Sequence, residues 1–177
     1  APSYVGKYDT TEDLKDGGIY LLNCPWSVGE LESRLPGKMK RDLCRKHARF
    51  YTIDADRIAA GIGLDKRTNN ILQAAFFALT EIIPLDTAVE DMKRNNYNSY
   101  FKKAGQKIVD LNNRAVDMGV SAAVRVEIPA SWADAPDAPA AQISATPFVR
   151  DIVLPMDRQQ GDKLPVSVFK KHGVLDG

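Results

Sequence analysis

Ile19-Tyr20-Leu21-Leu22-Asn23-Cys24-Pro25-Trp26-Ser27-Val28-Gly29-Glu30 decides the fold class. Ile19–Asn23 is a compact apolar run bounded by turn residues, which reads as a buried strand. Pro25 closes it. Ser27 and Glu30 then stand at capping-box spacing and open a helix running to Leu35, where Pro36-Gly37 breaks it. A buried strand that hands straight over to a capped helix is the signature of an α/β fold.

Working outward, the same alternation recurs. Lys38–Ala48 reads as a basic amphipathic helix with Met39, Leu43 and Cys44 on one side. Arg49–Asp54 is β-branched and aromatic, a second strand. Asp54 or Asp56 caps a short helix Arg57–Ile62. Ile71, Leu72, Ala75, Phe76, Leu79, Ile82 and Ile83 recur at helical spacing and predict a central helix over 67–83. Pro84 ends it. A further helix runs from Asp86 to about Lys103, with Ala88, Val89, Met92 and Tyr100 inward. Gly105 punctuates, and Ile108, Val109, Leu111, Ala115, Val116 and Val120 define the next helix. Ala123–Ile128 alternates as a third strand, with Val124, Val126 and Ile128 on one face. Upstream of the deciding stretch, Thr10–Lys15 reads as a short capped helix stopped by Gly17-Gly18.

The composition changes after Pro129. Residues 130–147 are rich in Ala and Pro and read as a linker crossing a surface. A short helix over Phe148–Gln159, strained or ended by Pro155, and an extended segment Val166–Phe169 complete the tail. The expected fold is therefore α/β: a few-stranded sheet (19–24, 49–54, 123–128) with packed helices, then the Ala/Pro linker and an extended C-terminal tail.

The chemistry is bounded by what the 177 residues hold. Lys and Arg total 24 and Asp and Glu 23, a balance that gives no electrostatic case for nucleic acid or an anionic membrane as partner. No apolar run approaches the roughly 20 residues needed to span a bilayer, and a cytoplasmic location is the expectation. Neither common phosphate-cradling loop is present. Cys24 and Cys44 are the only cysteines, too few for a four-thiolate site. His47 and His172 have no partner at catalytic spacing. The basic helix reads first as a solvated face. Two asparagines are sharper. Asn69 stands in the first turn of the central helix, where free amide protons suit an anionic or carbonyl-bearing ligand. Asn112 falls on an apolar stripe between Ile108 and Val116; an unpaired amide there costs about 1–3 kcal/mol, so it meets either an internal partner or a ligand.

The same residues carry a family pattern. Ala1–Asp9, Gly17–Ser27, Phe50–Ala55, Arg67–Leu79, Ala115-Val116-Asp117, Pro129–Trp132 and Gln159–Ser167 together resemble pyruvate:ferredoxin (flavodoxin) oxidoreductase, in order and over nearly the whole chain. The resemblance implies a fragment of a longer enzyme. Residues 1–129 would be most of its third, gamma-type domain, lacking the N-terminal part, and 130–177 a linker, short helix and the start of the next domain. It implies oxidation of pyruvate with coenzyme A to acetyl-CoA and CO2, with electrons passing to ferredoxin or flavodoxin. Thiamine diphosphate and 4Fe–4S clusters would sit on other domains of a homodimeric parent. It also implies two ligands for coenzyme A. The family's Arg-x-Asn matches Arg67-Thr68-Asn69, and its Lys-Ile-Val-x-x-Asn matches Lys107-Ile108-Val109-Asp110-Leu111-Asn112, with one extra residue around Phe101–Gly105. Neither residue would be catalytic, and the fragment alone would not turn over. Two alternatives stay open. One is a non-catalytic scaffold whose Trp132, Phe148, Val153 and Phe169 are buried only in a larger assembly. The other is the same family acting on another 2-oxo acid or delivering electrons to NADP.

Overall fold

The computed structural model describes residues 2–137 and 145–174. A three-stranded sheet has the order β1 (Ile19–Asn23), β2 (Arg49–Ile53), β3 (Val124–Val126). β1 and β2 are parallel, with Ile19 opposite Arg49 and Asn23 opposite Ile53. β3 runs antiparallel to β2, with Phe50 opposite Val126. The expected strands are all present, each shorter at its C-terminal end.

Helices cover both faces, as a parallel pair requires. Successive residues of a strand point to opposite sides, so Tyr20, Leu22 and Phe50 enter one core and Leu21 and Ile53 the other. The first core is closed by α1 (Val28–Arg34) and α2 (Gly37–Arg45), through Leu31, Met39 and Leu43. The second is closed by α3 (Ala55–Gly61), α4 (Asn69–Thr80) and α5 (Leu85–Val120), through Ala59, Ile71 and Ala115.

The caps explain the boundaries. The Glu30 carboxylate accepts from the Ser27 amide at 2.9 Å and the Ser27 hydroxyl at 2.8 Å, the reach-back expected at α1. Asp54 accepts from the Arg57 amide at 3.0 Å, so α3 starts two residues before the predicted Arg57. α4 is shorter than the predicted 67–83. Glu81 takes a left-handed conformation (φ 50°, ψ 28°), which ends the helix at Thr80 and leaves Ile82 exposed.

α5 is continuous in name only. Gly105 lies at φ 77° and ψ 176°, a conformation open only to glycine, and the chain reverses there. Asn96 and Asn113 stand 17 residues apart. A straight helix would separate them by about 25 Å, yet their side chains are hydrogen-bonded at 3.1 Å. Lys93 and Asp117 likewise meet at 2.6 Å. The two helices expected on either side of Gly105 therefore form a hairpin, which packs along α4.

Three local expectations are corrected. Residues 10–15 form turns, not a helix: Lys46 Nζ takes the carbonyls of Thr11 (2.7 Å) and Glu12 (2.6 Å), and the Thr11 hydroxyl donates to buried Asp42 at 2.9 Å. These side chains occupy groups that a first helical turn would leave for its own hydrogen bonds. The basic helix is not simply wet. Lys40 is buried, paired with Glu32 at 2.8 Å beneath the Trp132 ring, and burial, which alone would raise the pKa of Asp42, is outweighed there by Lys38, Thr11 and Arg45. Finally, Val166–Lys171 is helical (α7) rather than extended; Pro165 precedes it and Lys170 and Lys171 sit at its dipole-favoured end.

The segment after β3 is anchored. Trp132, in a single 3-10 turn (Ala130–Asp134), is 2 % exposed against Phe50 and donates its indole N–H to Glu32. Arg41 holds the Ala135 carbonyl and the Asp137 carboxylate. Trp132 is thus buried within this chain, whereas Phe148 and Val153 are exposed. Much of the Ala/Pro stretch, 138–144, lies outside the described residues.

The tail is a wide turn, Val149–Val153, that runs into α6 (Leu154–Asp157). Pro155 has no N–H to give a carbonyl four residues back, which suits the wider hydrogen-bonding just before it. Hydrogen bonds from Arg150, His172 and Lys171 hold the Asp151 carboxyl down to about 2. Its folded pKa lies below the unfolded value of about 3.9. The stabilisation is therefore complete above about pH 4 and is lost as pH falls toward 2. Amide protection over 149–171, taken relative to the intrinsic exchange rate at each pH, should fall across that window, and Asp151→Asn should remove this acid dependence; an unchanged protection profile in the variant would contradict this.

Candidate functional site

The α4–α5 seam carries the polar cluster of interest. Thr68 leads into α4, so Asn69 is its first residue and Asn70 its second. Asn69 is exposed at the helix start; Asn70 turns toward the hairpin. From the hairpin come Asn96 on the outgoing half and Asn112 and Asn113 on the returning half. Asn96 and Asn112 are each 4 % exposed.

Hydrogen bonds join four of these amides. Asn70 Nδ2 donates to Asn96 Oδ1 at 3.1 Å and to Asn112 Oδ1 at 2.8 Å. Asn96 Nδ2 donates to Asn113 Oδ1 at 3.1 Å. Asn112 Nδ2 donates to the Ile108 carbonyl, one turn back, at 2.8 Å. No buried side-chain nitrogen or oxygen among the described residues lacks a partner, so the desolvation cost of placing amides in a helix seam is offset. Of the two residues singled out in the sequence, Asn112 joins this network and Asn69 does not; Asn69 stands beside it, at the neighbouring position.

Asn96 went unsingled in the sequence, although the signal was there. It follows Met92 by four and precedes Tyr100 by four, on the inward stripe of its helix. Asn113 had no such signal, because its partner is reached only through the reversal at Gly105.

A cluster of neutral amides moves no protons at ordinary pH. It orients a polar ligand through fixed donors and acceptors. Elsewhere, a cleft of 630 Å³ opens where β1 and β2 end and is lined in part by Cys24, Trp26, Glu30, Asp54, Arg57 and Met118. Its polar groups serve the fold. Glu30 and Asp54 cap α1 and α3, and burial pushes the Cys24 thiol up, away from a reactive thiolate. The asparagine seam is therefore the better candidate. Among the described residues no three His, Cys, Asp or Glu side chains gather as a metal site, and no helix is long and apolar enough to cross a membrane.

A family model described as pyruvate ferredoxin/flavodoxin oxidoreductase matches residues 2–122. The chain belongs to this family. A second model, described as a domain of unknown function, matches residues 134–177. The pyruvate:ferredoxin oxidoreductase of Moorella thermoacetica is 46 % identical over 175 residues, which is 98 % of this chain and 15 % of that protein. The pyruvate-flavodoxin oxidoreductase of Klebsiella pneumoniae is 48 % identical over 177 residues, 99 % of this chain and 15 % of the relative. A more distant member, the pyruvate dehydrogenase [NADP(+)] of Cryptosporidium parvum, is 36 % identical over 202 residues. The chain thus spans about 15 % of the length of the first curated relatives it matches, and the α4–α5 seam lies inside the part matched by the family model.

Proposed function

We propose that this chain is part of an oxidoreductase that converts pyruvate and coenzyme A to acetyl-CoA and CO2 and reduces ferredoxin or flavodoxin. Residues 1–129 help to position coenzyme A, through Asn69 and Asn112, and 130–177 lead into a further domain. The observation that carries this reading is the asparagine seam itself. An exposed amide at a helix start stands beside a satisfied, rigid amide network, inside the segment that belongs to the family. Asn69 offers both a donor and an acceptor. Asn112 has its oxygen turned to Asn70 and one N–H committed to the Ile108 carbonyl, leaving one N–H for a ligand acceptor.

Thiamine diphosphate and iron–sulfur clusters belong to this proposal only through other parts of a longer, homodimeric, cytoplasmic protein. The donors here do not fit a cluster, since Cys24 is buried in the core and Cys44 is its only companion. No step is therefore assigned to such a group at these residues. The relative named as an NADP-dependent dehydrogenase supports a second reading, the same oxidation with electrons delivered to NADP, at lower identity.

Steady-state kinetics of the full-length oxidoreductase tests the proposal. Asn69→Ala and Asn112→Ala should each raise KM for coenzyme A by about 3- to 10-fold, the worth of one neutral hydrogen bond, and leave KM for pyruvate unchanged. Unaltered KM for coenzyme A in both variants would overturn it.

A further inference from the structure

We infer that Asn70 is a positioning residue, which fixes the side-chain amide of Asn112 so that it meets its ligand as a hydrogen-bond donor. The inference deepens the coenzyme A reading and rests on it. Asn70 Nδ2 carries two hydrogens, and both are spent inside the seam, on Asn96 Oδ1 and Asn112 Oδ1. An amide has one acceptor end and one donor end. With its oxygen turned to Asn70, Asn112 aims its nitrogen the other way, to the Ile108 carbonyl, with one N–H left over. The orientation of Asn112 is thus read off its neighbour rather than chosen by the ligand. Asn96 locks Asn70 in turn and passes its own nitrogen to Asn113.

The ligand class follows from the polarity. A single N–H in a seam that is 4 % exposed at Asn112 suits a carbonyl or other neutral acceptor on a slender chain. The amide carbonyls of a pantetheine arm are such acceptors, and a bulky anionic group is not. Asn70 itself keeps one uncommitted group, its Oδ1, among the described residues. It cannot replace Asn112 as a donor.

The test uses the full-length oxidoreductase with coenzyme A, and with pantetheine as a probe that lacks the nucleotide. Asn70→Ala should raise KM for both by about 3- to 10-fold, leaving KM for pyruvate unchanged. Asn70→Asp should do the same, because a carboxylate keeps the acceptor and loses both donors. An acidic residue in the first turn of a helix is favoured by its dipole, so this variant keeps the measurement available where Ala fails to fold. The Asn70→Ala/Asn112→Ala pair should cost no more than about twice the Asn112 single change, since both act on one hydrogen bond. Additive effects, or a KM for coenzyme A that Asn70→Ala and Asn70→Asp leave unmoved while Asn112→Ala raises it, would overturn this inference alone. Failure of Asn112→Ala and Asn69→Ala to raise KM would overturn the coenzyme A reading and this inference with it.

Discussion

Phe50→Ala is expected to cost about 3–5 kcal/mol of folding stability, the usual range for removing a fully buried aromatic ring. Phe50 is 0 % exposed on β2, the central strand, between Tyr20 on β1 and Val126 on β3. Its ring lies 6.0 Å from Tyr20 and 6.3 Å from Trp132, centroid to centroid. The cavity left behind is bordered by a strand, by α2 and by the anchored turn carrying Trp132, so collapse has to move three elements at once. Against a typical total of about 5–15 kcal/mol, the loss is a large fraction. Urea denaturation followed by Trp fluorescence measures it, and Trp132 reports from the site. A loss below about 1 kcal/mol would show that this face repacks freely.

Gly119→Ala should also be damaging, and it acts on the candidate site. A Cβ there would fall 2.5 Å from the Ile71 carbonyl oxygen and 2.9 Å from both Ile71 Cα and Ala74 Cβ. Two of those atoms are backbone and cannot step aside, so the hairpin must lift from α4. Overpacking of this kind costs about 1–3 kcal/mol, with backbone obstacles at the upper end. Ile71 follows Asn70, so the displacement strains the 2.8 Å bond from Asn70 to Asn112. A lower melting temperature together with a raised KM for coenzyme A in the full-length oxidoreductase is the expected result. A drop in melting temperature with KM unchanged would uncouple the seam from ligand binding.

Much of the fold was legible because local and tertiary signals agree. The strand Ile19–Asn23, the Ser27–Glu30 cap and the Ile71–Ala75 stripe each state in sequence what packing then uses. Where they disagree, tertiary partners win. Thr10–Lys15 has a helical start signal, but Lys46 and Asp42 claim its polar groups. Val166–Phe169 has strand composition, but no strand edge in the described residues receives it, and it coils instead. At the site, Asn112 was legible as a polar residue on an apolar stripe, and Asn96 by the same rule. The role of Asn70 was not. It depends on which of two adjacent asparagines turns inward, and the first turn of a helix leaves that open until α5 is laid against it. The meeting of Asn96 and Asn113 was illegible for a different reason: nothing about a spacing of 17 marks two residues as neighbours.

The reversal at Gly105 also sets where this domain tolerates changes of length. The two arms of α5 are held in register by Asn96 with Asn113 and by Lys93 with Asp117, both well down from the tip. One residue inserted into an arm below those pairs would rotate the helix by about 100° and advance it by about 1.5 Å, carrying one partner off the seam. The same residue inserted at the tip lengthens an exposed turn and leaves the pairs alone. The extra residue that the family resemblance implies around Phe101–Gly105 would fall on this tolerant stretch and leave the asparagine pairs of the seam in register.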